Sequence, residues 1–588
     1  MALANLETNS RFMMLNDPQW AIFRYNLWIS SVNHTSINDK SGKQGKHMDY
    51  IKTLRIKGYK KFTDFTINFT PGLSILIGEN TAGKSTILEA IEIVLNQSIF
   101  KRDFSQLESM LNKTMVTKFL ESTTHSVEEL PRIEIEVVLS LDNIPQNGIF
   151  WGQHYSDFNQ NKPRQLFGIK FRFEFDENFI DEFKKIDFSD DSQNAIPLEY
   201  YHSVWRTFRD NSYVSRMNPL RSLLIDNSKY FYDLYGSYAK RIFGLQVDTV
   251  QQRKVSYSFK QSMIHALHDN STALSLNRPN QEFTINQRKA QLADLLDISE
   301  NQIPLQNMGQ GKESLVKTEL SLDSNASLVM IEEPENHLSY SNTRKMISEI
   351  QKQSDKAQQV IVTTHESMVL NRLNLNRAIW IREEKGESLA SLSESDAAFF
   401  MRNDDFDILK FILARKVILV EGASEYITLP SMINKITGKS IDELGISILS
   451  LHGIHYEHFL CLAKHLNKPV LVLTDNDGKK TDAINEENRR TGDNISIKTP
   501  DDNEIFTFEV ALERKNVNIC KNFQKEKHPK AKSTSYKSHN ELSVGLACAL
   551  AHKTDFAMYV ADEFDKNDSN IICPDYIREG VEWLRKLN

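Results

Sequence analysis

No run of about eighteen apolar residues occurs in the chain, so a membrane-spanning helix is not expected. A secretory leader is not expected either, since residues 1–47 have neither a basic start nor a small-residue cleavage site. Their most apolar stretch, 20–28, is too short and too polar to span, and an accessory helix or a poorly ordered extension is expected there in preference to a membrane or partner contact. A start at Met48 stays open, since that methionine begins the first strongly patterned segment. Cysteine is scarce. Cys461, Cys520, Cys548 and Cys573 are widely spaced and form no C-x-x-C, which points away from a disulfide scaffold or zinc site and toward a reducing cytoplasm. Basic charge is not in excess either, with 71 Lys and Arg against 78 Asp and Glu. A nucleic-acid partner must therefore be held by local patches or through bound metal.

With 588 residues the chain is too long for one hydrophobic core, so several domains are expected. The most informative local feature is a pair of acid-tipped apolar runs. Residues 417–420 end in Glu421, followed by Gly422 and Glu425; residues 470–473 lead into Asp475 and Asp477. Carboxylates at the C-terminal ends of two buried strands converge on one edge of an open α/β sheet. Such a set suits hard divalent cations, because Mg²⁺ takes oxygen ligands. A lone D-x-D says little, whereas the pairing with E-G-x-x-E is specific.

Nearer the N-terminus, an apolar strand at 73–77 runs into Gly78, Asn80, Gly83, Lys84, Ser85 and Thr86, with a helix-forming stretch behind. This is G-x-x-x-x-G-K-S in strand–loop–helix context, a phosphate cradle in which Lys84 reaches the β- and γ-phosphates and Ser85 ligates Mg²⁺. A second strand, 327–331, ends in Glu332, at the magnesium-side position, and Glu333, at the water-activating position. A third, 359–364, ends in His365, a candidate γ-phosphate sensor.

These motifs resemble the ATP-binding-cassette heads of SMC and Rad50-type proteins, which sandwich ATP between two protomers. That resemblance implies a signature loop at Gly309 and Gly311, here G-x-G in place of L-S-G-G, and a phosphate-contacting role for Lys60. The acid-tipped strands resemble the Toprim fold of primases, topoisomerases and certain nucleases. A head followed by a Toprim module is the arrangement of the OLD (overcoming lysogenisation defect) family of ATP-dependent nucleases. The expected fold class is α/β: an ABC-type P-loop ATPase head with a helical insertion, then a Toprim, Rossmann-like nuclease domain. The expected domains are an extension at 1–47, the head at 48–175 and 298–400, an insertion at 176–297 that could serve dimerisation, and the Toprim domain at 401–588.

Phosphodiester hydrolysis would then rest on two cations about 4 Å apart. Glu421, Glu425, Asp475 and Asp477 are the expected ligands, with Glu421 alternatively a general base. The resemblance adds Glu509 as a late acid, Glu513 second, with Thr507 where some relatives carry aspartate. It also adds Lys553 as the residue that neutralises the scissile phosphate. Expected cofactors are ATP with one ion and Mg²⁺ or Mn²⁺, two ions, in the Toprim site. Expected partners are DNA, a second copy of the chain or more, and a partner protein or regulatory nucleic acid of an anti-phage defence system. The run His452, His455, His458 reads as structural in preference to metal-binding, and the lysine-rich segment 514–537 as a solvated loop or a DNA track. Two rivals remain: a repair or recombination clamp whose Toprim module does not cut, and a topoisomerase, for which no tyrosine in a recognisable context stands out.

Overall fold

The computed structural model describes residues 48–588 except 99–106, 155–163, 187, 189–194, 227–236, 271–275, 277–280, 282, 287–289, 355–357, 404–405, 479, 538, 540, 567–569 and 588. The N-terminal extension therefore lies outside the described residues.

Among the described residues the first module is built on one twelve-stranded sheet. Tyr50–Tyr59 and Phe62–Asn68 form its opening hairpin, closed across Tyr59 and Phe62, with Lys60 at φ 49 supplying the left-handed residue of the turn. Antiparallel pairing spreads from there through Ile133–Ser140 to Arg164–Phe175. Next to it lies a parallel portion in the spatial order Ala378–Arg382, Leu73–Ile77, Gln359–Thr363, Leu328–Glu332, Ser222–Asp226. The strands before the P-loop, Glu332 and His365 are thus neighbours running the same way. Their C-terminal ends share one edge.

The stretch 176–297 differs from the helical insertion expected of it. Tyr201–Thr207 and Ser222–Asp226 are strands of the sheet itself, pairing with Arg164–Phe175 and Leu328–Glu332. The physical reason is period-two burial: Tyr201, Trp205 and Thr207 are buried while the residues between them are at least partly exposed. Helices Ser237–Gln246 and Thr249–Asp269 follow, and the second buries none of its residues.

Among the described residues the second module has a four-stranded parallel sheet in the order Ile446–Ser450, Lys416–Val420, Val470–Leu473, Ile495–Lys498. Its two central strands are apolar without a break over 417–420 and 470–473 because both faces are covered. Val417, Leu419, Val470 and Val472 face a core shared with Ile75, Ile77, Trp380 and Phe400 of the first module. Ile418, Val420, Leu471 and Leu473 face the opposite core, with Phe508, Leu546 and Tyr576. Each buried Val or Leu contributes roughly 1.5–3 kcal/mol, so the shared core outweighs any surface ion pair at about 0–1 kcal/mol.

Candidate active site

At the first module's edge, Gly83 has φ 95 and stands directly before helix Lys84–Asn96. A Cβ at Gly83 would come within 2.6 Å of the Phe62 ring, so this turn requires glycine on both counts. Lys84 is buried and donates to the Gly78 carbonyl at 2.8 Å and the Glu79 carbonyl at 3.1 Å, curling back over the loop that would carry phosphate. Burial lowers its pKa, with Glu333, Glu335 and Glu332 pulling the other way. Glu332 is 3 % exposed and in register with Thr363 on one side and Asp226 on the other. Glu333, in the left-handed region at φ 45, accepts from the Asn336 amide at 2.6 Å and lies 3.5 Å from His365 Nδ1. Thr364 and the His365 backbone both donate to Glu335. Asn80, Ser85 and Gly309 are exposed and Thr86 is half-buried. Gly311 lies in helix Gln310–Leu322 against the His337 carbonyl.

Two placements were not legible beforehand. Lys60 turns to Glu89, whereas its neighbour Lys61 reaches the P-loop, donating to the Thr81 carbonyl at 2.6 Å. Asp226 ends a strand beside Glu332. A lysine pair in a hairpin turn does not reveal which member faces the loop, and Asp226 was hidden in a segment read as helical.

The second module gathers most of its expected acids. Its chain visits one side of the Lys416–Val420 strand and then crosses to Val470–Leu473, so the order reverses between those two tips, where ligands bind in open α/β sheets. Glu421 and Asp475 occupy them. The Glu421 carboxylate accepts from the Thr474 hydroxyl and the Asp475 backbone N–H, both at 3.1 Å. Glu425, 5 % exposed, stands in the first turn of helix Ala423–Thr437, whose start adds partial positive charge. Glu509, fully buried, opens helix Phe508–Lys515, accepts from the Ser424 hydroxyl at 2.9 Å and pairs with Lys553 Nζ at 3.0 Å. Burial pushes the Glu425 carboxyl up to about 7, with Glu509 and Glu421 adding to it. Burial pushes Asp475 well above its ordinary range, helped by Glu425, Glu421 and Glu509. Burial opposes the charge on Lys553, but Glu509, Asp475 and Glu425 together hold its pKa up. One Asp475 oxygen, Oδ1, is buried without a hydrogen-bond partner. Crowded buried acids with an orphaned oxygen fit a divalent cation, which would relieve the repulsion.

Asp477 is not in this cluster. Its carboxylate is 59 % exposed and pairs with Lys480 at 2.6 Å, because Asn476 between the two aspartates turns inward. The Asn476 amide donates to Thr481, the Pro500 carbonyl and the Asp502 carbonyl, and its oxygen accepts from Gly478. Glu513 accepts from Ser543, apart from the acids. The three histidines also diverge: His458 binds Asp396 at 2.6 Å and stacks on Phe399, while His455 stacks on Tyr456.

Comparison with known proteins matches residues 50–263 to the AAA ATPase domain and residues 412–477 to the overcoming lysogenization defect protein-like TOPRIM domain. Endonuclease GajA of Bacillus cereus is 20% identical across 91% of this chain and 99% of its own length. The DNA replication and repair protein RecF of Symbiobacterium thermophilum is 40% identical over 45 residues, which span 8% of this chain and 12% of RecF. Among solved structures, the C-terminal region of the Xanthomonas campestris OLD protein has 21% identity and a TM-score of 0.23, covering 30% of this chain and 94% of its own. The SMC head domain from Thermotoga maritima has 14% identity and a TM-score of 0.26, covering 57% of this chain and 97% of its own. An ATPase domain and a Toprim domain imply use of a nucleotide and a divalent metal. Among the described residues no helix is long and apolar enough to cross a membrane. With an ATPase domain continued into an overcoming lysogenization defect protein-like TOPRIM domain, the chain resembles the OLD family in the kind and order of its domains.

Proposed function

We propose that the chain is an ATP-dependent or ATP-regulated DNA endonuclease, an effector of anti-phage defence that works as a homodimer or larger assembly. The observation that carries this reading is the meeting of Glu421, Glu425, Asp475 and Glu509 around Lys553 at a sheet switch point. The resemblance in length and order to endonuclease GajA supports it.

Mg²⁺ or Mn²⁺, two ions in the Toprim site, would supply charge stabilisation on both sides of the scissile phosphodiester. Glu421, Glu425, Asp475 and Glu509 would hold them. Asp477 would join by leaving Lys480 and turning inward. Glu421 alternatively takes the proton of the attacking water, since its strand-tip position serves either task. Lys553 stays protonated among the acids and would meet negative charge growing on the phosphate. In the head, Gly78, Asn80, Gly83, Lys84, Ser85 and Thr86 would cradle ATP, with Lys60 close by. Glu332 would serve the nucleotide's ion, Glu333 would polarise water and His365 would sense the γ-phosphate. Gly309 and Gly311 would complete a partner protomer's site, and 176–297 would contribute to dimerisation. A partner protein or regulatory nucleic acid would set the trigger. The alternative, a repair clamp that binds DNA without cutting, gives the buried acids no task and is not favoured.

The test is plasmid cleavage with and without ATP by wild type, Lys84→Ala and Asp477→Ala. Metal-dependent cutting by wild type, abolished in Asp477→Ala, is expected. A wild type that binds plasmid but leaves it intact under every metal and nucleotide condition would return the clamp reading. Survival of cutting in Lys84→Ala would make ATP a regulator and not a motor.

A further inference from the structure

Three donors outside the acid cluster meet where three helices come together. His528 closes helix Ile519–Lys527, Cys548 lies within helix Val544–Ala551, and His552 forms the turn before helix Lys553–Asp565. Gly545 permits the approach: a Cβ there would stand 2.7 Å from the Lys521 backbone nitrogen, so the two helices pack backbone to backbone. One ligand atom from each of the three residues lies within 4.8 Å of the others. The His528 and His552 rings stack with centroids 4.0 Å apart, and Asp555 reaches to 3.8 Å from His528 Nε2.

Two imidazoles and a thiol form a borderline-soft donor set. It suits Zn²⁺, or Co²⁺ in its place, and not the Mg²⁺ that buried carboxylates favour. Tetrahedral zinc with bonds of about 2.0–2.3 Å spaces its donors roughly 3.3–3.7 Å apart, so the cluster must contract by about 1 Å. His552 is exposed and its ring can make that swing, while Cys548 is buried and His528 partly so. We infer that His528, Cys548 and His552 form a binding site for a zinc-class transition-metal ion, with Asp555 or water in the fourth position. As the sulfur–metal bond forms, the thiol proton leaves to solvent. Wide spacing in the chain hid this set, because the third donor arrives from a separate helix.

A consequence concerns Lys553, the next residue after His552. An ion here would pin the turn that aims Lys553 at Glu509, making His552 a positioning residue. That consequence rests on the nuclease reading; the ion site does not.

The experiment titrates the chelator-stripped full chain with Co²⁺ and follows the near-ultraviolet thiolate-to-cobalt charge-transfer band, which carboxylate sites cannot produce. The band is expected to saturate at one Co²⁺ per chain and to be displaced by Zn²⁺. It should persist in Cys461→Ser and Asp475→Asn, weaken about tenfold in apparent affinity in His552→Ala, and vanish in Cys548→Ser. Absence of the band in wild type, or full affinity in His552→Ala, overturns the site. So does loss of the band in Cys461→Ser, which would trace it to the exposed thiol. If Cys548→Ser proves misfolded by circular dichroism, His552→Ala decides, since an exposed side chain can be truncated without opening the core.

Discussion

Asp475 and Glu425 are acids that the fold makes uncomfortable. Burial and the surrounding carboxylates raise both, Glu425 to about 7. The folded protein therefore holds protons that the unfolded chain has already lost, and metal-free stability falls as pH rises from the ordinary carboxylate range through about 7. Divalent cation should oppose that loss. Thermal melts should show a larger gain from Mg²⁺ at about pH 8 than at about pH 5.5; an equal gain at both would mean the acids do not bind it. Replacing Lys553 by Ala should cost about 100-fold or more in cutting rate while Mg²⁺ still raises the melting temperature, separating phosphate neutralisation from ion binding. At this scale much was legible, since Glu421 and Asp475 follow apolar runs and a strand tip announces itself. The direction of Asp477 was not, because alternation along a strand says nothing about the loop beyond it.

Asn476 shows how one element sets the site. Fully buried, it ties the loop after Val470–Leu473 to Thr481, Pro500 and Asp502. Asn476→Ala would take one donor from each of the Pro500 and Asp502 carbonyls, which keep the Thr481 hydroxyl and the Ile505 N–H, and should lower unfolding stability by roughly 1–2 kcal/mol, measured by denaturant titration, with weaker metal-dependent cutting. In the head, Gly83→Ala forces a Cβ against Phe62 at positive φ, and nucleotide binding by calorimetry should be lost. The P-loop and the Glu332 strand could be read because their chemistry is local in sequence. The strands Tyr201–Thr207 and Ser222–Asp226 could not, since short strands separated by loops and followed by helices gain their identity from the sheet they join.

Across the whole molecule, the two modules share a core instead of hanging on a linker. Val417, Leu419, Val470 and Val472 from the Toprim sheet pack into the same cluster as Ile75 and Ile77 of the P-loop strand. Polar ties accompany it: His458 to Asp396 at 2.6 Å, Ser391 to His465 at 3.2 Å, and Lys468 over the Trp380 ring at 5.2 Å. Such a seam can pass a nucleotide-driven shift from one active edge to the other. Asp396→Ala should therefore leave ATP hydrolysis intact while changing the response of cutting to ATP by several-fold, read by paired ATPase and plasmid assays. An unchanged response would place the coupling elsewhere.

The most direct measurement is plasmid cleavage by wild type and Asp475→Asn across a Mg²⁺ titration, with melting temperature recorded on the same samples. Wild type should cut in a Mg²⁺-dependent way. Asp475→Asn should lose cutting by about 100-fold or more while melting no lower than wild type in chelator, because the amide keeps the shape and removes a repelled charge. Undiminished cutting by Asp475→Asn would contradict the account.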